Sequence, residues 1–219
     1  MIRTLLCLVL LASASLPAQE PRKLIPPTVV SIESSEIKDF ETYPAAIKKL
    51  LNAALSLTRL NLGYKYGSAD PAQGGMDCSG TIYYLLNQEG LKNVPRSSDT
   101  QYIWVRKAGT FRAVLGSTLD SFEFSELKPG DLLFWGGTYA IKRNIPVTHT
   151  MIYLGVAKSD GLPLMVGASD GRTYRGKKCF GVSVFEFRLP DAKSKSRFFG
   201  YARIPGIEQK LETTSKAGS

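Results

Sequence analysis

The order of apolar patterns in this 219-residue chain predicts an α+β domain in which N-terminal helices pack on a central antiparallel sheet. Three observations carry the prediction. Apolar residues recur at helical spacing before residue 90. Beyond Pro129 and Gly130, short apolar runs bounded by Gly, Pro or Asp take over. The composition, 43% hydrophobic and 21% charged, is that of a soluble globular chain.

The chain opens with Arg3, an apolar run from Leu5 to Ala12, and the small residues Ser13, Ala14, Ser15 and Ala18. Residues 1–19 therefore read as a secretory signal peptide, the run being too short to span a bilayer. A cut after Ala14 or Ala18 leaves a small residue at the site, so the mature chain is expected to begin between Ser15 and Glu20. Cys7 lies inside the run, and no lipid-attachment box follows it. The expected location is exported, periplasmic or extracellular, without stable membrane insertion after signal cleavage.

Residues 20–42 carry three prolines and mixed charge, the texture of an extended lead-in that wraps a domain. From Pro44 the pattern Ala45, Ile47, Leu50, Leu51, Ala54, Leu55, Leu57 and Leu60 predicts a helix ending near Leu62 and Gly63, with Thr42 as its cap and Pro44 in its first turn. A loop rich in Gly, Ala and Pro leads to Asp77 and Cys78. There Ile82, Tyr83, Leu85 and Leu86 begin a second buried helix, stopped by Gly90. Ser97 and Ser98 precede another helical run, and Arg96 with these serines reads as a capping segment rather than a substrate contact. Strand-like runs follow at Asp131–Trp135, His149–Leu154, Leu164–Ala168, Val182–Phe187 and Phe198–Ile204. The domain is expected over residues 43–205, followed by a polar tail over 206–219. Residues 104–126 and 136–148 exceed minimal connections and predict lids over a groove.

The formal net charge is +9, one unit less once Arg3 is removed. Lys and Arg are densest at Arg172–Lys178 and Lys193–Arg197, with no aromatic interleaving, which predicts a solvated basic face near an anionic envelope and no nucleic-acid partner. Losing Cys7 leaves Cys78 and Cys179, so there is no disulfide framework and room for at most one bridge. Cys179 sits among Lys177, Lys178 and Phe180, without a second ligand cluster. No metal and no cofactor is expected.

A thiol is nucleophilic as thiolate, and the unpaired N–H groups of a helix start favour that form. Cys78 stands at such a start, after a loop with four glycines from Gly63 to Gly75 and before the small residues Ser79 and Gly80. His149 is the one histidine of the chain. It opens the apolar strand HTMIYLG, where a rigid backbone can aim an imidazole at a thiol. The pair predicts a Cys78 nucleophile with a His149 base, sulfur and ring facing each other.

The segments GYKYGSADPAQGGMDCSG (63–80), VPRSSDTQ (94–101), LKPGDLLFW (127–135), HTMIYLG (149–155) and FFGYARI (198–204) resemble, in order and spacing, the signature blocks of the NlpC-type cell-wall cysteine peptidases. That resemblance spans roughly residues 45–205. It implies a papain-like cysteine peptidase fold, with Cys78 and His149 as the dyad. Tyr64 would lie beside the thiol, Asp77 and Ser79 would hold the free amino end of a peptidoglycan stem peptide, and the N–H of Cys78 would join an oxyanion hole. The implied reaction is hydrolysis of the bond between γ-D-glutamate and the diamino acid. The protein itself is expected to be a monomer. The family's third polar residue falls where this chain has Gly167, so Asp170, Ser169, a backbone carbonyl or water is left to orient His149, Asp170 being the side chain chosen. Two rivals remain: an amidase of related Cys/His type, and an inactive wall-binding module.

Overall fold

Ala46, Ile47, Leu50, Leu51, Ala54, Leu55 and Leu57 form one buried stripe, and it is this stripe that the first helix, α1 (Ala45–Thr58), turns inward. In the computed structural model, which describes residues 26–207, α1 ends at Thr58, a turn earlier than its apolar pattern predicts. The reason is local. Asn61 adopts a left-handed conformation, Arg59 and Leu60 bond back only three residues, and Leu60 is exposed, so its place in the pattern does not extend the helix. Thr42 is not the cap: its hydroxyl donates to the Asp39 carbonyl, and Pro44 occupies the N-cap position. The predicted signal peptide, the first part of the lead-in and nearly all of the tail lie outside the described residues.

Two short parallel strands, β1 (Gly63–Tyr64) and β2 (Gly75–Met76), bring the glycine-rich loop back on itself before α2 (Cys78–Gln88) begins. The next helix, α3 (Ser98–Lys107), starts at Ser97, whose N–H donates to Thr100 Oγ1 at 3.2 Å. Buried Gln101 ties α3 to α2, its amide donating to the carbonyls of Ser79 at 3.0 Å and Pro95 at 2.9 Å. Residues 104–126, expected as a lid, hold the end of α3 and a strand, β3 (Phe111–Ala113), that joins the sheet edge.

The remaining strands are β4 (Leu132–Gly136), β5 (Val147–Val156), β6 (Pro163–Ser169), the small hairpin β7 (Thr173–Tyr174) and β8 (Lys177–Lys178), β9 (Gly181–Glu186) and β10 (Arg197–Ala202). The main sheet runs β3-β10-β4-β5-β6-β9, antiparallel throughout. This is the α+β arrangement the pattern predicts. Helices cover one face, α2 lying on β5 and β6 and α1 on β9, and there Phe134, Ile152, Leu154, Val166 and Val184 join the helical core. The other face is also dry. Leu133, Trp135, Met151, Tyr153 and Phe185 pack there under Phe187 and Tyr201. Burial on both sides explains why β5 reads as a continuous apolar run rather than as an alternation.

The segment before α1 does structural work at the sheet edge. Thr28 and Phe180 exchange backbone hydrogen bonds at 2.9 Å, and Val184 N–H donates to Val30 O at 2.9 Å. The outer side of β9 is thereby paired and not left as an open template.

Candidate active site

Asp77 caps α2. Its Oδ1 accepts from Gly80 N–H at 2.6 Å and its Oδ2 from Gly67 N–H at 2.7 Å, so one carboxylate fastens both the helix start and the loop before it. Arg96 then grips the same carboxylate in a fork, Nη1 to Oδ1 at 3.0 Å and Nη2 to Oδ2 at 2.9 Å, and also reaches Ser79 Oγ at 3.2 Å. Packing here is close: a Cβ at Gly80 would stand 2.1 Å from the Ser68 carbonyl oxygen. These contacts revise two expectations. Arg96 is not a capping residue but the counter-ion of Asp77. Asp77 and Ser79 do line the thiol cavity, yet Arg96 already neutralises the charge expected to attract a peptide ammonium group.

Cys78 is buried at the first position of α2. The N–H groups of Thr150, Ser79 and Cys78 itself act on its sulfur to favour the thiolate, the first belonging to the peptide group that joins His149 to Thr150. The β5–β6 ladder begins at Ile152 and Val166, whereas β6 stays paired with β9 as far as Ser169. Burial pushes the thiol up to about 11, outweighing the three N–H groups, which act to lower it. The helix start therefore does not leave a ready thiolate, contrary to the expectation from position alone.

His149 sits opposite Trp135 in the β4–β5 register, ring centroids 5.7 Å apart. It is 6% exposed, and burial first, then Arg172, holds its imidazole well below the ordinary value of 6.5. No hydrogen bond joins Cys78 to His149 among the described residues. They are neighbours through the Thr150 amide, with the ring engaged elsewhere. Its partner is Arg172, whose Nε–H donates to His149 Nε2 at 3.3 Å while the guanidinium lies 4.1 Å over the Trp135 ring.

Asp170, the side chain expected to hold the imidazole, makes no hydrogen bond to it. It lies in the groove wall and acts on Arg172 only through its charge. Gly167 stands where a third polar residue was sought, and a Cβ there would meet Met151 Cε at 3.3 Å. Met151 fills that space. Arg172 was read from the sequence as part of a solvated basic patch. The signal that could have separated it from its neighbours is its position three residues beyond Ser169, at the end of the strand beside the one that carries His149.

Two adjoining cavities share Tyr64, Tyr139 and Thr148. One, of about 250 Å³, contains Cys78 with Tyr66, Arg96 and Arg143; the other, of about 710 Å³, contains His149 with Asp170, Arg172, Arg188 and Lys195. Tyr64 lines the cavity that contains Cys78. Tyr66 and Tyr139 meet edge to face with centroids 6.5 Å apart. Of the two expected lids, residues 136–148 do supply cavity wall, through Tyr139 and Arg143. Among the described residues no group of His, Cys, Asp or Glu is placed to hold a metal ion, and Cys78 and Cys179 are both free.

Residues 61–172 match the model of the NlpC/P60 family. A stretch of 92 residues is 33% identical to the bifunctional muramidase/DL-endopeptidase CwlT of Bacillus subtilis (strain 168), covering 42% of this chain and 22% of that protein. The fold is also similar to the crystal structure of a protein described as similar to lipoprotein, NLP/P60 family, from Staphylococcus aureus subsp. aureus Mu50. That match has a TM-score of 0.45 and 20% identity, over 81% of this chain and 43% of the other.

Proposed function

This chain belongs to the NlpC/P60 family, and from that premise we propose that it is an exported cysteine hydrolase of peptidoglycan stem peptides, with Cys78 as nucleophile and His149 as base. The observation that carries the reading is that a cysteine at a capped helix start and the chain's one histidine line two adjoining cavities that share Tyr64, Tyr139 and Thr148. The DL-endopeptidase name of the Bacillus relative supports the choice of bond, that between γ-D-glutamate and the diamino acid. The match spans about a fifth of that protein's length, so the remainder of its activity is not transferred.

The protonation states favour general-base activation over a resting ion pair. A buried neutral imidazole has one ring lone pair; in the structure Arg172 Nε–H occupies it on Nε2, and it becomes the acceptor for the Cys78 proton, as sulfur attacks the γ-carbonyl, once that contact is released. Developing charge on the carbonyl oxygen would be met by N–H groups at the start of α2, including that of Cys78. The imidazolium formed then protonates the leaving amine, and water, with His149 again as base, releases the acyl group from sulfur. Tyr64 lies in both cavities and is placed to border substrate and thiol together.

Mass analysis of defined stem peptides after incubation tests the reading. Cleavage between γ-D-glutamate and the diamino acid, abolished in Cys78→Ala, is the expected result. Release at the lactyl–alanine bond would instead make it an amidase. Intact peptides under conditions where the protein is folded would make it an inert binding module.

A further inference from the structure

Arg172 is built into the site in a way that the stem-peptide reading does not use. Its backbone is pinned, the Arg172 carbonyl accepting from Cys179 N–H at 2.8 Å. The guanidinium stacks on buried Trp135 and donates through Nε to His149 Nε2. A guanidinium offers five N–H donors and no acceptor. Here one is used. Neither Nη group makes a hydrogen bond or an ion pair among the described residues, although Arg172 lines the larger cavity and Asp170 stands near enough to act on its charge.

The direction of the His149 contact matters more than its length. An orienter that accepts a hydrogen bond leaves the opposite ring nitrogen with a lone pair, whereas an Arg donor requires the lone pair on Nε2 and so places the proton of the neutral ring on Nδ1. While Arg172 remains, Nε2 cannot take up a proton, and a second positive charge on the ring is opposed. The ring is therefore held in one tautomer by a cation that lines the larger cavity and whose Nη groups have no hydrogen-bond partner among the described residues.

We propose that Arg172 is a carboxylate-operated latch on His149: in the empty site its Nε–H occupies Nε2, and a substrate carboxylate received on the Nη edge draws the guanidinium off the ring. Arg172 is in this sense a positioning residue, acting on the substrate's reaction through the imidazole. A bidentate carboxylate is a stronger partner for a guanidinium than one long bond to an imidazole nitrogen. The identity of the carboxylate rests on the stem-peptide reading. A γ-linked D-glutamate keeps its α-carboxylate free a few bonds from the scissile carbonyl, so the correct substrate carries its own release signal. Arg188 and Lys195 in the same wall add positive potential to the approach.

Because His149 is the one histidine, imidazole ¹⁵N labelling gives a single pair of ring signals whose positions report the tautomer. Wild-type protein is expected to show the Nδ1–H form. Arg172→Met, which retains an apolar stem on Trp135 without the donor, is expected to move toward Nε2–H. Acetate, titrated against a chloride control at equal ionic strength, should shift the wild-type signals toward the Arg172→Met pattern and leave that variant unchanged. In Cys78→Ala protein, the tripeptide L-alanyl-γ-D-glutamyl-L-lysine should produce the same shift, and its α-carboxamide should not.

In turnover, a preference for acid over carboxamide of roughly tenfold to a hundredfold, the size of a typical coupling between sites, is expected in wild type and lost in Arg172→Met. An Nε2–H ring in the empty wild-type protein, or signals that ignore acetate, overturns the latch. Peptides that do not bind while acetate still moves the ring overturn the stem-peptide reading and leave the latch standing.

Discussion

Cys78 shows how burial and helix position compete at a single atom. Three N–H groups favour the thiolate, yet enclosure raises the thiol from about 9 to about 11. Alkylation of the substrate-free protein by iodoacetamide, in a Cys179→Ser background, should therefore keep rising through pH 9 toward about pH 11. A plateau near neutral pH would show that the helix start prevails after all. Gly167 marks a second competition at this scale. Its φ of +156° and the Met151 side chain at 3.3 Å both oppose a side chain. Gly167→His should therefore lower stability by about 1–3 kcal/mol, the usual cost of overpacking a core, and should not rescue activity. A thermal melt unchanged by that substitution would contradict the packing seen here. Asp170→Ala, by contrast, should leave the ring signals of His149 in their wild-type tautomer, because its contact with Arg172 is one of charge alone.

At the level of elements, the start of α2, β1 and the segment before β5 assemble the thiol cavity, through Asp77 to Ser79, Tyr64, and Tyr139 with Arg143. The helix can begin at Cys78 because Asp77 caps it, and Asp77 can be buried because Arg96 pairs with both of its oxygens. Removing one member of a buried pair leaves a charge without compensation. Arg96→Met should cost about 2–3 kcal/mol, toward the lower end for such pairs since the Arg96 side chain is 36% exposed. The double change Arg96→Met with Asp77→Asn should recover part of that loss, because an amide retains the cap without the charge. Urea unfolding of the two variants measures this directly. Equal losses in both would mean that the fork holds no buried charge in place.

For the whole molecule, the two site groups shape stability against pH in opposite directions. The folded chain resists protonation of His149, so below about pH 6.5 the unfolded chain takes up a proton that the folded one refuses, and stability falls with acid. Cys78 keeps its proton in the folded state up to about 11, whereas the unfolded thiol releases it near 9, so stability falls again as the pH rises between those values. Melting temperatures from pH 4 to 11 should form a plateau with two shoulders. Cys78→Ala should reduce the alkaline one, to which Cys179, the partly buried Tyr43 and the buried Tyr153 also contribute, and His149→Gln should reduce the acid one. Shoulders unchanged in size by these substitutions would place the titrating groups elsewhere in the chain.

The α+β class, the helix that begins at Cys78, the strand that carries His149 and the family blocks were all legible in the sequence, because each depends on neighbours within a few residues: apolar period, turn residues and motif spacing. The early end of α1 was not, since Leu60 continues the apolar period while Asn61 reverses the backbone. The partners in the site were decided by tertiary structure alone. Arg96 meets Asp77 across 19 residues, and Arg172 meets His149 across 23. Local spacing identifies a charged side chain but not the ring or carboxylate against which folding buries it. Arg172 had the sequence signature of a solvated basic face, and only the aromatic packing around Trp135 brought its guanidinium onto the imidazole. The thiol's proton affinity was likewise set by enclosure, a property of every element packed around Cys78 rather than of its position in the chain.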